Sequence, residues 1–284
     1  MYPWKDYNDR TSPLKLAVFV LLFVPALWTG LAFAMGWLEP RPFTAAIREI
    51  GLWTIRLIFI ALAVTPLRGV LQYPRLIVVR RMIGVAAFAY ALTHLALYTA
   101  DQMFDLAKVA SEIVLRIYLT IGFTAVLGLA ALAATSTDGM IRRLGARNWQ
   151  RLHRVVYVIA LLAVVHFWMQ SKLDVWEPTV MAGIYAWMMG YRMLARTAGV
   201  RGRLPLAWLG ALGIAAAILT GLGEATYFWV AHGVDPLRVI AANFSLVTGV
   251  RPAAVVFGLA LAVTAAGAVR TLSMLSAKRR PGFA

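Results

Sequence analysis

The sequence predicts an all-α integral membrane protein: a polytopic helical bundle of about eight transmembrane helices with both termini cytoplasmic. Three observations carry that reading. Of 284 residues, 61% are hydrophobic and 14% charged, with a mean hydropathy of +0.74, which no ordinary water-soluble globule has. Apolar runs of roughly 20 residues, long enough to cross a hydrocarbon core, recur along the chain. The basic residues are also unevenly distributed among the segments between those runs.

The first run, 16–37, is too long for the apolar core of a signal peptide. Trp37, Pro40 and Pro42 follow it instead of a small-residue cleavage site, so it is expected to remain uncleaved. Further spans are expected over 50–67, 82–100, 117–135, 153–170, 177–195, 206–230 and 252–275. With a cytoplasmic N-terminus, the inner segments are 1–15, 68–81, 136–154, 192–203 and 270–284, and they hold 20 of the 28 Lys and Arg. Nine of the 12 acidic residues, among them Asp101, Asp105, Glu112, Asp174 and Glu177, fall at or near the outer side. The Lys/Arg bias fixes the orientation, so the net charge of +16 is a topology signal and no nucleic-acid partner is expected. A basic inner face also suits anionic membrane lipid or an acidic soluble partner.

Several chemistries are excluded. Without cysteine there is neither an iron–sulfur cluster nor a covalently attached c-type haem. Loops of about 20 residues are too short for a nucleotide-binding βαβ unit. No Gly-x-Gly-x-x-Gly after a strand and no P-loop is present. The expected organisation is a cytoplasmic segment 1–15, a six-helix core 16–195, and an extension 196–284 of two Ala-, Gly- and Leu-rich helices with a basic tail. Gly84, Ala86, Ala87, Gly122 and Gly128 either clear room for a flat macrocycle or let helices pack closely.

The four histidines, His94, His153, His166 and His232, are the most informative residues. His94 and His166 fall inside expected spans, where ionisable side chains are functional candidates by default. At 1.5 Å per residue, His94 lies about 20 Å along its helix from Arg81, and His166 about 20 Å from His153. Both helices run from inside to outside, so His94 and His166 share the outer half of the membrane. Two imidazoles at matched depth can close both axial positions of a haem iron, leaving an electron carrier with no open substrate site. Each can instead hydrogen-bond a neighbouring helix. His153 sits at the inner mouth of the His166 helix, roughly 140° from it around an ideal helix, and interfacial snorkelling is its alternative role. His232 is expected in an exposed loop beyond the seventh span. Glu224, inside that span, serves a proton or quinone site or pairs with a polar neighbour. In the inner loop, Arg142, Arg143, Arg147, Arg151 and Arg154 suit haem propionates, a flavin phosphate or an acidic donor. Positive-inside topology would place the same arginines there.

Four stretches carry a family resemblance: TSTDGMIRRLG from Thr135 to Gly145, Trp149-Gln150-Arg151-Leu152-His153-Arg154 with Tyr157, Arg80-Arg81-Met82-Ile83-Gly84, and Tyr90-Ala91-Leu92-Thr93-His94. Together they resemble the MsrQ (YedZ) family of haem-binding membrane subunits, in the ferric-reductase-like transmembrane superfamily, over residues 12–195. The resemblance implies haem b, one or two per chain, with His94, His153 and His166 at the family's ligand positions, and an associated FMN. It implies electrons taken from quinol or a soluble flavin reductase and passed to a periplasmic MsrP-like molybdoenzyme that reduces methionine sulfoxide, in the bacterial inner membrane. Two departures stand out. Two-haem relatives carry two histidines on each of two helices, whereas Arg80 and Arg81 stand where the second of the third span would be, leaving Met82 as an unorthodox candidate. The chain also extends beyond the six-helix form. Of the other classes, a b561-type quinol cytochrome would need four paired axial histidines. A cofactor-free transporter would show broken helices or repeated halves around a midplane site.

Overall fold

A computed structural model describes residues 2–5, 9–172, 174–197, 204–245, 247 and 249–279. Among these, helix is the regular structure, apart from one isolated bridge between Lys5 and Thr11. Seven helical segments are long and apolar enough to cross a membrane: 13–34, 42–70, 74–101, 117–134, 146–170, 206–232 and 252–276. Large apolar side chains such as Leu27, Leu127 and Leu219 stay exposed on them, as lipid-facing residues of a multi-pass membrane protein do. The remaining expected span, 177–195, does form a helix, but Glu177, Arg192 and Arg196 make it less apolar than the seven. The chain segment 198–203 and the last part of the basic tail, 280–284, lie outside the described residues.

The chain divides into two compact units, Met1–Leu62 with Val78–Gln170, and Ala63–Ile77 with Ser171–Ala284. The first unit begins with a span made of two helices, α1 (Pro13–Leu21) and α2 (Val24–Ala34). Pro25 lies in the first turn of α2, where its missing N–H breaks no helical bond. The Tyr90 hydroxyl bridges the gap, accepting from the Ala26 N–H at 3.0 Å and donating to the Leu22 carbonyl at 2.7 Å. A tyrosine thus stands where a continuous helix would have its own i to i+4 bond, satisfying two polar groups that lipid cannot.

Then come α3 (Pro42–Val70), 29 residues long and starting earlier than the expected 50, and α4 (Ile77–Asp101). Arg48 and Glu49 dilute the hydropathy of the first turns of α3 without interrupting the helix. An amphipathic α5 (Leu106–Leu115) is capped by Asp105, which accepts from the Lys108 N–H at 2.9 Å, and packs on α6 (Ile117–Ala134). The inner loop is two short helices, α7 (Asp138–Leu144) and α8 (Ala146–His153). Thr137 caps α7, and Gly145, at φ +75°, turns the chain into α8 in a backbone region that glycine enters freely. The unit closes with α9 (Val156–Gln170), packed along α6.

The second unit is a bundle of α10 (Trp176–Thr197), α11 (Leu206–His232) and α13 (Pro252–Arg279), with the short α12 (Pro236–Ala242) against α11. Small residues set its contacts: a Cβ at Gly213 would meet that of Ala260 at 2.7 Å, and Gly183 faces Thr220 and Val256 as closely. Met188, Tyr191 and Leu209 fill the centre.

Candidate functional site

His94 and His166 meet in the first unit, one from α4 and one from α9. Their ring centres are 6.3 Å apart and the ring planes nearly perpendicular, at 88°. Each ring is held the same way. His94 Nδ1 bonds the Ile47 carbonyl of α3 at 2.8 Å, and His166 Nδ1 bonds the Tyr118 carbonyl of α6 at 2.7 Å. A carbonyl only accepts, so each Nδ1 carries the proton and each Nε2 keeps its lone pair. Neither Nε2 has a hydrogen-bond partner among the described residues.

Glycines make room for both rings. A Cβ at Gly51 would lie 2.8 Å from His94 Nδ1, and one at Gly122 would lie 2.7 Å from His166 Nδ1. The group of small residues singled out in the sequence therefore splits. Gly122 backs a histidine, Gly128 is filled by Ile159, Ala87 is fully buried and Gly84 has open space around it. Gly51 escaped the sequence reading.

His153 is placed differently. It is the last residue of α8, and α9 begins only at Val156, with i to i−3 bonds tightening the chain between them. The helix that carries His153 and His166 is thus locally tightened between them and departs from the single ideal helix assumed from the sequence. The ring stacks on Trp149 with centroids 3.9 Å apart, and Trp149 Nε1 donates to the Thr135 carbonyl at 2.8 Å. Thr135 Oγ1 donates to the Ala131 carbonyl, so its 3.2 Å bond to His153 Nε2 has the ring as donor. The nitrogen left free on His94 and His166 is occupied here.

Arg142 and Arg143 lie in the last turn of α7 and Arg151 in the last turn of α8, all three exposed. Beside them Asp138 pairs with Arg81 from the start of α4. That hydrogen bond and charge hold the Asp138 carboxyl below its usual pKa. A depressed folded-state pKa stabilises the tie above the ordinary Asp value and loses it as pH falls through the lower, folded one. Both side chains are largely exposed, so Asp138→Asn is expected to lower stability by no more than about 1 kcal/mol at pH 7. Unfolding curves of parent and variant should converge at low pH; a difference that persists or widens there would refute the assignment.

Two further residues singled out in the sequence lie in the described structure. Glu224, 2% exposed, is bound by Arg251 at 2.7 Å and by the Asn243 amide at 3.3 Å, so it has polar neighbours rather than standing alone. His232 is the last residue of α11 rather than a loop residue, exposed and in contact with Tyr227 and Phe228.

Seven helices apolar enough to cross a membrane define a multi-pass membrane protein, and residues 50–164, which include His94 and His153, match the family described as "Ferric reductase like transmembrane component". Proteins named "Protein-methionine-sulfoxide reductase heme-binding subunit MsrQ" are similar over a longer stretch. The one from Rhodospirillum rubrum is 39% identical over 188 residues, 66% of this chain and 90% of the relative. That from Azospira oryzae is 38% identical over 189 residues, 66% of this chain and 81% of its own length. One from Xanthomonas campestris is 47% identical over 161 residues, 56% and 73% of the two chains. The chain belongs to the MsrQ family. No solved structure matches it.

Proposed function

We propose that this chain is a b-type haem subunit that carries electrons across the bacterial inner membrane to a periplasmic MsrP-like molybdopterin enzyme reducing methionine sulfoxide. His94 and His166 are its axial ligands, near the outer face, with both termini cytoplasmic. One observation carries the reading: two imidazoles 6.3 Å apart between centres, each with Nδ1 tied to a backbone carbonyl. Two metal–nitrogen bonds of about 2 Å, plus roughly 1 Å from each ring centre to its own nitrogen, add to about 6 Å. Ligating histidines generally donate their other N–H to such an acceptor, which fixes tautomer and ring orientation. The relatives' printed name, heme-binding subunit of protein-methionine-sulfoxide reductase, points the same way. When bound, the iron porphyrin supplies a one-electron centre closed to other ligands. The chain's own part is to hold both imidazoles in place on their two carbonyls.

Residues 16–195 are taken as the haem-binding core and 196–284 as an extension, with α10 at the end of the core packed on α11 and α13 of the extension, in keeping with relatives that match 66% of this chain. His153 belongs to electron input on the cytoplasmic side, where quinol or a soluble flavin reductase is the donor. A second haem there would first require His153 Nε2 to leave Thr135. Exposed Arg142, Arg143 and Arg151 offer guanidinium forks to an FMN phosphate, a haem propionate or an acidic donor surface. Lipid surrounds the bundle, and no nucleic acid is involved.

The test is a reduced-minus-oxidised spectrum of the purified protein, with quinol and reduced flavin compared as donors. Low-spin b-type bands are expected, together with methionine sulfoxide reduction that depends on this chain when it is co-expressed with the periplasmic reductase. A protein purified intact without haem bands would overturn the reading, and sulfoxide reduction independent of this chain would overturn the partner.

A further inference from the structure

We infer that Gly51 and Gly122 are positioning residues, each baring one backbone carbonyl as a seat for a haem-ligating imidazole; the inference rests on His94 and His166 being the ligands. In an α-helix the carbonyl of residue i bonds the N–H of residue i+4, and side chains lean back toward the N-terminus over the preceding turn. A side chain at i+4 therefore crowds the approach to that carbonyl. Both acceptors here lie four residues before a glycine: Ile47 before Gly51, and Tyr118 before Gly122. The second lone pair of each carbonyl is open because no Cβ covers it.

The fit leaves no slack. A Cβ on Gly51 would stand 2.8 and 2.9 Å from Nδ1 and Cε1 of His94; one on Gly122 would stand 2.7 and 2.8 Å from the same atoms of His166. Real Cβ contacts are not that short, so an added methyl group must push the ring off its carbonyl or the helices apart. A displaced ring loses the bond that keeps the proton on Nδ1 and the lone pair on Nε2. Chance close packing does not account for the same carbonyl, glycine and imidazole recurring on two separate helix pairs, α3 with α4 and α6 with α9. Gly128 supplies the contrast on that second pair. Its Cβ would meet Ile159 Cδ1 at 2.8 Å, an equal crowding with no polar partner and no histidine.

Gly51→Ala, Gly122→Ala and Gly128→Ala, purified full-length beside His94→Ala and His166→Ala, separate seating from packing. Readouts are haem per polypeptide, the rate of haem loss to excess apomyoglobin, and the low-spin electron paramagnetic resonance signal, which reports ligand orientation. Gly51→Ala and Gly122→Ala are expected to lose haem about tenfold faster or more, the range for disturbed outer-shell partners of ligands, and to shift the signal. Gly128→Ala is expected to keep the parental rate and signal. Parental behaviour in both Gly51→Ala and Gly122→Ala would overturn the inference. So would the same change in Gly128→Ala, or failure of all three glycine variants to assemble, since each points to packing alone. Native signals in both histidine variants would instead remove the ligand assignment itself, a result read without the glycine variants.

Discussion

Alanine at His94 or at His166 is expected to remove the six-coordinate, low-spin haem signal, leaving a preparation that is haem-poor or five-coordinate. The two rings come from different helices and each has its own carbonyl anchor, so neither variant has a spare imidazole to substitute. Disturbing an outer-shell partner already weakens metal binding about 10- to 100-fold, and losing the ligand itself should do at least as much. His153→Ala makes a sharp control. Its Nε2 is bonded to Thr135 and its ring stacks on Trp149, so the low-spin signal should survive while reduction from the donor side slows. His232→Ala, at an exposed helix end, should leave both unchanged. Retention of the native signal in both His94→Ala and His166→Ala would defeat the assignment. Its loss in His153→Ala alone would move the site to the inner side.

The spans were legible because apolar length is a direct physical requirement of the bilayer, and the matched depth of His94 and His166 because helical rise is constant. What the sequence hid is local geometry set by partners distant in the chain. The α1–α2 break is bridged by Tyr90, some 64 positions from Ala26, and nothing near Pro25 announces a tyrosine hydroxyl. The interruption between His153 and Val156 leaves no proline or glycine to mark it. Both histidine anchors are backbone carbonyls, which every residue possesses, so Ile47 and Tyr118 have no compositional signature. Only the glycines beside them could have been read, and Gly51, one of 22 glycines, lies in the expected span 50–67, which carries no histidine to draw attention to it. Glu224 stands out as a charge inside a span, but its partner Arg251 lies 27 positions on, just ahead of the last span, where an arginine carries no sign of a buried partner.

That pair sets the second large expected effect. Arg251→Ala leaves Glu224, 2% exposed, with only the Asn243 amide, and removing one member of a buried pair is destabilising by about 3–5 kcal/mol. The side chain of Arg251 retains 21% exposure, which places the expected loss toward the lower end of that range. A fall in Tm on the order of 10 °C should follow in detergent. The reverse change, Glu224→Gln, should do less, because the guanidinium left behind is the more solvated partner and the amide still offers it an oxygen. The double variant Glu224→Leu with Arg251→Leu should recover most of the loss, since apolar replacement of a buried pair is often neutral. With the haem site in the other unit, all of these variants should keep the parental haem spectrum. An Arg251→Ala protein as stable as the parent would show that Glu224 is held neutral without its arginine. A lost spectrum at parental stability would tie the carboxylate to the electron-transfer centre instead of to the bundle of α10, α11 and α13.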